Sequence, residues 1–527
     1  MTTPAPRWTR RAAVTGSAAA AGTAVATLAT AAPASAAPAT AAARRYKPAR
    51  YTRTRVLAAG DRHVAARFSY GLTPALEAEV TAAGGGRAWF GRQLDTAYDG
   101  AADGVADWWP DLHLSPTQLL ALHTSGRRAG WRVMQDYGRR HLARRILSPR
   151  PVLEKVAEFF ENHLHVPADG NLHCMYRVQY GEVIRKHALG RFDDMLVAAT
   201  THPAMLVYLD GATSTKKAPN ENLGRELLEL HTVGVGAFTE DDVKSSARIL
   251  TGWRVDVGRT WAHGYLPADH WTGPVQVLGF RDANASSDGK ALCERYLRYL
   301  AHHPATARHL ARELVVKFVR DDAPQGLVDR LAKVYLDHDT AIRPVLEALV
   351  ASPEFAASAD AKLRDPGEDV VVSHRVLGTT IARPLVRDDT SMANLLAPAA
   401  ALVGQAPFTW PAPNGQPHTN AFWGSPARAM ASFYVHWTLA GAGGTGVTYR
   451  PMSAWLPQTS ITFDLWVDHL SRVLHHRPST AELLQACCEA TGVAPTERVT
   501  RTHRLMQRAQ GQRLLAVFLD HPAHFHH

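Results

Sequence analysis

From about Asp61 onward, apolar residues recur at the three-and-four spacing of a helix face, and helix start and stop signals punctuate them almost to the end of the chain. Thr73-Pro74 sets an N-cap residue before a proline at the first helical position, and Gly84-Gly85-Gly86 ends that helix. Ser115-Pro116 repeats the start signal. Arg150-Pro151 opens a segment in which Val152, Val156, Phe159, Phe160 and Leu164 fall at helical spacing. Thr239, with Asp242 three residues on, forms a capping-box pattern ahead of Val243, Ala247 and Leu250. Further helices are predicted near 305–319, 325–335, 342–350, 425–439, 480–490 and 507–519. The fold class is therefore mainly α, a multi-helical globular body. Two intervals break the pattern. Trp253 to Ala285 is rich in Gly, Trp, His and Asp, and the alternation from Pro274 to Gly279 predicts one short β-hairpin or loop insertion. Ala406 to Pro426 is proline-rich and is expected to run extended, between a main helical domain at 61–405 and a C-terminal helical lobe at 406–527.

The first residues follow a different logic. Arg7, Arg10 and Arg11 form a charged region, an Ala/Thr/Gly/Val run follows from Ala12 to Ala32, and Ala34-Ser35-Ala36 supplies small residues for cleavage. That order predicts a signal peptide at 1–36, and the paired arginines before a weakly hydrophobic run favour the twin-arginine route. A retained membrane anchor is the rival reading. Residues 37–60, rich in Ala, Pro, Arg and Thr, read as a flexible spacer. No other stretch is continuous and apolar enough to span a bilayer, so the mature chain is expected to have no transmembrane span. Twin-arginine substrates cross folded, often with a cofactor already inserted. The expected location is extracellular or in the cell envelope.

Composition narrows the partners. The 527 residues carry a formal charge of +10, and three of the arginines lie in the leader. This mild excess suits an anionic wall polymer or lipid head groups, or simply a solvated surface. No basic stripe with interleaved aromatics is present, so nucleic acid is not expected. Cys174, Cys293, Cys487 and Cys488 are too few and too irregular for a disulfide framework or a structural zinc site.

The densest chemistry lies between Asn220 and Gly234. Asn220 caps a helix, Leu223, Leu227 and Leu230 form its buried stripe, and Asn222, Glu226 and Glu229 form a second stripe beside it. His231 projects roughly 140–160° from those glutamates while the helix stays regular. Glu226 and Glu229 suit an acid–base pair or an oxygen site for a divalent metal, the alternative being ion pairing with Arg225 and arginines of neighbouring helices. The second candidate is Glu161-Asn162-His163-Leu164-His165, followed by His173-Cys174. His163 lies near the apolar face, as a hydrogen-bonded core histidine or as a nitrogen ligand. His202-Pro203, His303-Pro304 and His521-Pro522 read as punctuation at helix starts, and the terminal His524-Phe525-His526-His527 is given no role. No serine-hydrolase elbow, phosphate loop, dinucleotide fingerprint or His-Glu-x-x-His is present.

Gly190-Arg191-Phe192, the run His202 to Asp210, Asn220-Glu221-Asn222 through Gly234, and Leu250-Thr251-Gly252-Trp253 together resemble the bacterial exported family called domain of unknown function 1800. The resemblance extends from about Arg62 to Trp437. It implies no reaction, and it implies a protein partner from another exported family. The family's Trp-His-Asn-His-like turn stands here as Phe160-Glu161-Asn162-His163, so its first histidine is Glu161. Two functions follow from these observations. One is a metal-assisted hydrolase of the cell envelope, with His163, Glu226 and Glu229 around a divalent ion and Asn162, Asn220, Asn222, Arg225 and His231 in support. The other is a non-catalytic scaffold or binding partner of another exported protein or wall polymer.

Overall fold

Helix-on-helix packing organises the chain because most of its apolar stripes find partners on other helices. The structure is a computed structural model describing residues 46–96, 98 and 104–527. The leader at 1–36 and the first part of the spacer lie outside the described residues. Among the described residues, twenty-four α-helical segments stand against four isolated two-stranded sheets, which makes the protein mainly α.

The start signals work as the chemistry of capping requires. Thr73 accepts from Leu76 N at 3.2 Å, and that helix, Pro74–Ala83, ends at Gly84 with φ of 92°. Ser115 with Gln118, and Thr239 with Asp242, form reciprocal capping boxes. The three His-Pro pairs are N-caps of an unusual kind. His202, His303 and His521 each turn Nδ1 onto the amide two residues ahead, at 3.2, 3.2 and 3.1 Å. A ring nitrogen thus does what a Ser or Asp oxygen does elsewhere.

Trp253 to Ala285 holds two hairpins rather than one, pairing Trp253–Val255 with His263–Tyr265 and Val275–Val277 with Phe280–Asp282. Two further pairs, Thr380–Ile381 with Val447–Thr448 and Ser460–Thr462 with Arg498–Thr500, escaped the sequence patterns because strands of two or three residues carry no readable alternation. The proline-rich interval does run without helix as far as Asn420, but it is not a free connector. Ala168 N donates to Phe408 O at 2.7 Å, and His165 Nε2 bonds Trp410 O at 2.8 Å. Tyr46 to Gly60 is likewise held: Arg50 and the Tyr51 amide both bond Asp468. Residues 46–527 form one compact unit with a continuous apolar core running from Tyr51 to Leu519.

At the centre lie Gly130–Leu147, Pro151–His163, Cys174–His187 and Pro366–Val376. All 13 residues of Pro151–His163 are buried, polar ones included. No helix among the described residues is long and apolar enough to cross a membrane.

The Asn220 helix touches Glu240–Ile249 almost backbone to backbone: a Cβ on Gly224 would lie 3.0 Å from Ala247 N and 3.2 Å from Val243 O. Gly224→Ala is therefore expected to lower unfolding free energy by about 1–3 kcal/mol, read as a fall in the urea midpoint without a change in slope.

Candidate functional site

Asn220 caps the motif helix as the sequence predicts, with Oδ1 accepting from Asn222 N at 2.9 Å. The helix then departs from regularity. Glu221–Glu226 is α-helical, and Leu227–His231 widens into a π-turn. Thr232 Oγ1 donates to Leu227 O at 2.6 Å and Gly234 N to Leu228 O at 3.1 Å, so both ends of the widened turn are tied down. The wheel that placed His231 far from the glutamates assumed a regular helix, which this segment is not. His231 is buried, while Glu226 and Glu229 are only half-buried and Asn222 is exposed.

Three further residues settle into structural contacts. Arg225 pairs with Glu240 at 2.6 and 2.9 Å rather than with Glu226 or Glu229. Asn162 clasps the proline-rich segment, donating to Gln416 O at 2.8 Å and accepting from Gln416 N at 2.7 Å. Glu161, at the place of the family's first histidine, is fully buried against Arg177 (2.8 Å) and the Tyr137 hydroxyl (2.7 Å).

His163 meets the motif helix through its backbone. Its Nε2 bonds His231 O at 3.2 Å, and His309 Nε2 bonds Leu230 O at 3.1 Å. Two imidazoles therefore satisfy carbonyls left open at a helix end. Burial, reinforced by the neighbouring His309 and His231, holds His163 well below the usual imidazole range, and burial lowers His231 to about 3. Burial also raises Glu226, with Glu229 adding to the effect.

Among the described residues, two other groups each bring three metal-capable side chains within 4.8 Å of one another. His163, Glu226 and Glu229 belong to neither. The first group is Glu158, Asp365 and Glu368. It is already neutralised: Lys155 Nζ reaches Glu368 at 2.5 Å, Lys317 reaches Glu368 and Asp365 at 3.2 and 3.4 Å, and Arg145 reaches Glu158 at 3.1 Å. Three cations against three carboxylates leave a dication nothing to balance.

The second group is Asp369, His436 and His524, all at 2% exposure or less. Asp369 Oδ1 lies 3.0 Å from His436 Nε2 and 3.7 Å from His524 Nε2. These separations bracket the roughly 3.3–3.5 Å between neighbouring ligand atoms of a tetrahedral site with zinc-like bond lengths. His436 and Asp369 each have a support behind them, while His524 is bonded at the nitrogen that faces Asp369. Asp520 Oδ1 takes the Nδ1 proton of His436 at 2.8 Å, Ser432 Oγ donates to Asp369 Oδ2 at 2.6 Å, and Ser373 Oγ lies 3.0 Å from His524 Nε2. Burial alone would depress His436, but Asp369 and Asp520 outweigh it and raise the ring to about 9, making it an imidazolium. His524 is held well below its ordinary value by burial and by that neighbouring cation, and stays neutral.

Backbone pairing delivers His524 to this place. His527 N donates to Lys362 O at 3.0 Å and Arg364 N to Phe525 O at 2.9 Å, which lays the last residues beside the start of the Pro366–Val376 helix. Nothing in the local sequence marks His524 for a role, because a run of histidines near the end of the sequence looks like an exposed tail. Only the His521-Pro522 cap hinted that the run follows an ordered turn.

Fold and site thus define a mainly helical protein with a deeply buried ionic centre. The family model described as Protein of unknown function (DUF1800) matches residues 63–525, and the chain belongs to that family. No curated protein and no solved structure matches it.

The buried neutral histidines fix how stability varies with pH. His163, His231 and His165 (lowered by burial to about 4) titrate near 6.5 once unfolded, so below that pH the unfolded chain binds more protons. Their contribution is complete above pH 6.5 and is lost as pH falls toward 4. His436 has the opposite sign, its contribution fading as pH rises from 6.5 through about 9. Urea midpoints measured from pH 4 to 10 are expected to rise to about pH 6.5 and then to decline gently up to about pH 9, with His436→Gln removing the alkaline decline.

Proposed function

We propose that the mature chain works outside the cytoplasmic membrane as a metal-assisted hydrolase of an envelope polymer or ester, with Asp369, His436 and His524 as the ligand set in place of His163, Glu226 and Glu229. One observation carries this reading: two imidazoles and a carboxylate converge at ligand spacing, and Asp520 and Ser432 back His436 and Asp369 from the far side. A divalent ion in such a set polarises a carbonyl or phosphoryl oxygen and makes water a better nucleophile at neutral pH. His436 would give up its Nε2 proton to become a ligand and keep its Nδ1 proton on Asp520, a carboxylate–histidine arrangement that fixes tautomer and ring orientation. Ser432 holds the far oxygen of Asp369 and so leaves Oδ1 directed at both rings.

Export rests on the leader, whose paired arginines, weakly apolar run and small-residue cleavage site support the twin-arginine route. The surplus of positive charge suits an anionic wall polymer as substrate or anchor, and another exported protein as partner.

Elemental analysis of untagged protein purified after export is expected to find about one transition metal per chain, bound by the two imidazoles and the carboxylate. Added Zn, Mn or Fe should raise the melting temperature of stripped protein. At pH 7 binding should release about one proton per ion, the one leaving His436. Asp520→Asn should weaken binding about 10–100-fold. A melting temperature indifferent to all three metals would remove the metal and leave the non-catalytic scaffold.

A further inference from the structure

Of the thirteen large apolar side chains exposed among the described residues, eight lie between Leu385 and Trp437. The same part of the chain is almost free of charge. From Thr390 to Tyr449 there is no Asp, Glu or Lys and a single arginine, Arg428, in a sequence that is 20% charged. Arg428 is buried, so the stretch brings no arginine, lysine or carboxylate to the surface.

Packing gathers these residues on one side. Met392–Val403 and Pro426–Ala440 lie against each other, and both rest on Pro366–Val376, so their outward faces form one surface. They run antiparallel: Met392 N donates to Thr445 O at 2.7 Å, just past the end of the second helix, and Gly404 lies against the Trp423 ring, just before its start. Met430, Tyr434 and Trp437 follow one another at helical spacing along one outward face, and Leu395 and Leu402 along the other. His436 sits on the inner side of the helix that shows Tyr434 and Trp437 to solvent.

At one end of this surface a loop presents Leu385, 96% exposed, and Val386. It is tied down on both sides: Ala382 N donates to Gly446 O at 2.8 Å, and Asp389 accepts from the amides of Leu385 and Val386 at 2.9 and 3.2 Å. Beneath the tip lies an open hollow of about 790 Å³, walled by Trp108, Pro110, Arg383 and Arg387. Arg383 meets no carboxylate among the described residues, and Arg387 shares Asp111 with the buried Arg128. At the other margin Tyr449 bonds Gly443 O, and Arg508 stacks on the Tyr449 ring. Arg450 and Arg508 likewise meet no carboxylate among the described residues, bonding carbonyls instead.

We infer that this face seats the protein on an anionic lipid surface, with the apolar and aromatic side chains in the head-group boundary and the marginal arginines against lipid phosphates. An uncharged apolar patch rimmed by cations, with Tyr and Trp among its members, has the chemistry of such a boundary. A second copy fits it less well, because a two-fold pairing of the face sets its arginine margins against one another. The inference goes beyond the hydrolase reading and needs no metal.

The test uses the chain from residue 37 onward, since residues 46–527 form one compact unit, and floats it with vesicles of phosphatidylcholine alone or mixed equally with phosphatidylglycerol. Flotation is expected with the anionic vesicles and to be several-fold weaker without phosphatidylglycerol. The double variants Leu385→Ser/Val386→Ser and Tyr434→Ser/Trp437→Ser are each expected to weaken it at least about 10-fold, and Arg383→Glu to weaken it on anionic vesicles only. All change exposed side chains, and melting curves like the native one show that they are folded. Val235→Ser, on an exposed apolar residue outside this face, should float as the native chain does. The inference is overturned if the native chain floats with neither vesicle, or if both double variants float like it. Equal flotation with the two vesicles overturns the role given to the arginines. A dimer in sedimentation velocity that both double variants split into monomers assigns the face to a second copy and overturns the lipid reading. No metal enters the assay, so its failure leaves the metal reading standing, and the converse holds.

Discussion

A carboxylate sealed inside a protein costs several kcal/mol of lost hydration unless a cation is fixed against it, and the centre of this fold is built around that requirement. On the Pro151–His163 helix, Glu154, Glu158 and Glu161 stand one turn apart on one stripe, all buried. Glu154 meets Arg144 at 2.8 Å and Arg185 at 2.7 Å; Glu158 meets Arg145; Glu161 meets Arg177. Those four arginines come from Gly130–Leu147 and Cys174–His187, so each ion pair is also a spacer between helices. Lys155 extends the scheme to Glu368 on the Pro366–Val376 helix, and Lys317 brings in Pro304–Phe318. Apolar packing alone tolerates sliding of one helix on another, whereas a buried charge tolerates only one position of its partner.

The same requirement separates structural clusters from candidate chemical ones. Glu368 and Asp369 are neighbours on one helix and point to different surroundings. Glu368 faces two lysine ammoniums, which cannot serve as metal ligands while protonated. Asp369 faces two imidazoles, which can trade a proton for a metal. The His163 region is different again. There the rings bond helix-end carbonyls, and the glutamates remain on the outer stripe.

The helical class, the capping signals and the family were legible because they depend on local spacing. Thr73, Ser115, Thr239 and Asn220 cap the helices that the sequence predicts. What could not be read depends on charge partners far away in sequence. Arg139, Arg140, Arg144 and Arg145 look like the wet face of an amphipathic helix, yet all are buried, because carboxylates from elsewhere meet most of them. The π-turn at Leu227–His231 was hidden as well, since no residue type announces it; it shows only through the Thr232 and Gly234 bonds that close it. Asp369 and His436 lie 67 residues apart, and Ser373, on the same helix as Asp369, lies 151 residues from His524; no motif spans such intervals.

The bond from Arg67 to His527 O closes a separation of 460 residues. Loop closure of that length is entropically slow to reward, and contacts of this kind form after the local helices are in place. Until the two segments meet, Arg67 has lost one of its carbonyl acceptors and Asp369 one of its imidazole neighbours, so the unfinished centre holds charge that only water can satisfy. Completion of the interior thus waits on a closure across almost the whole of the described chain.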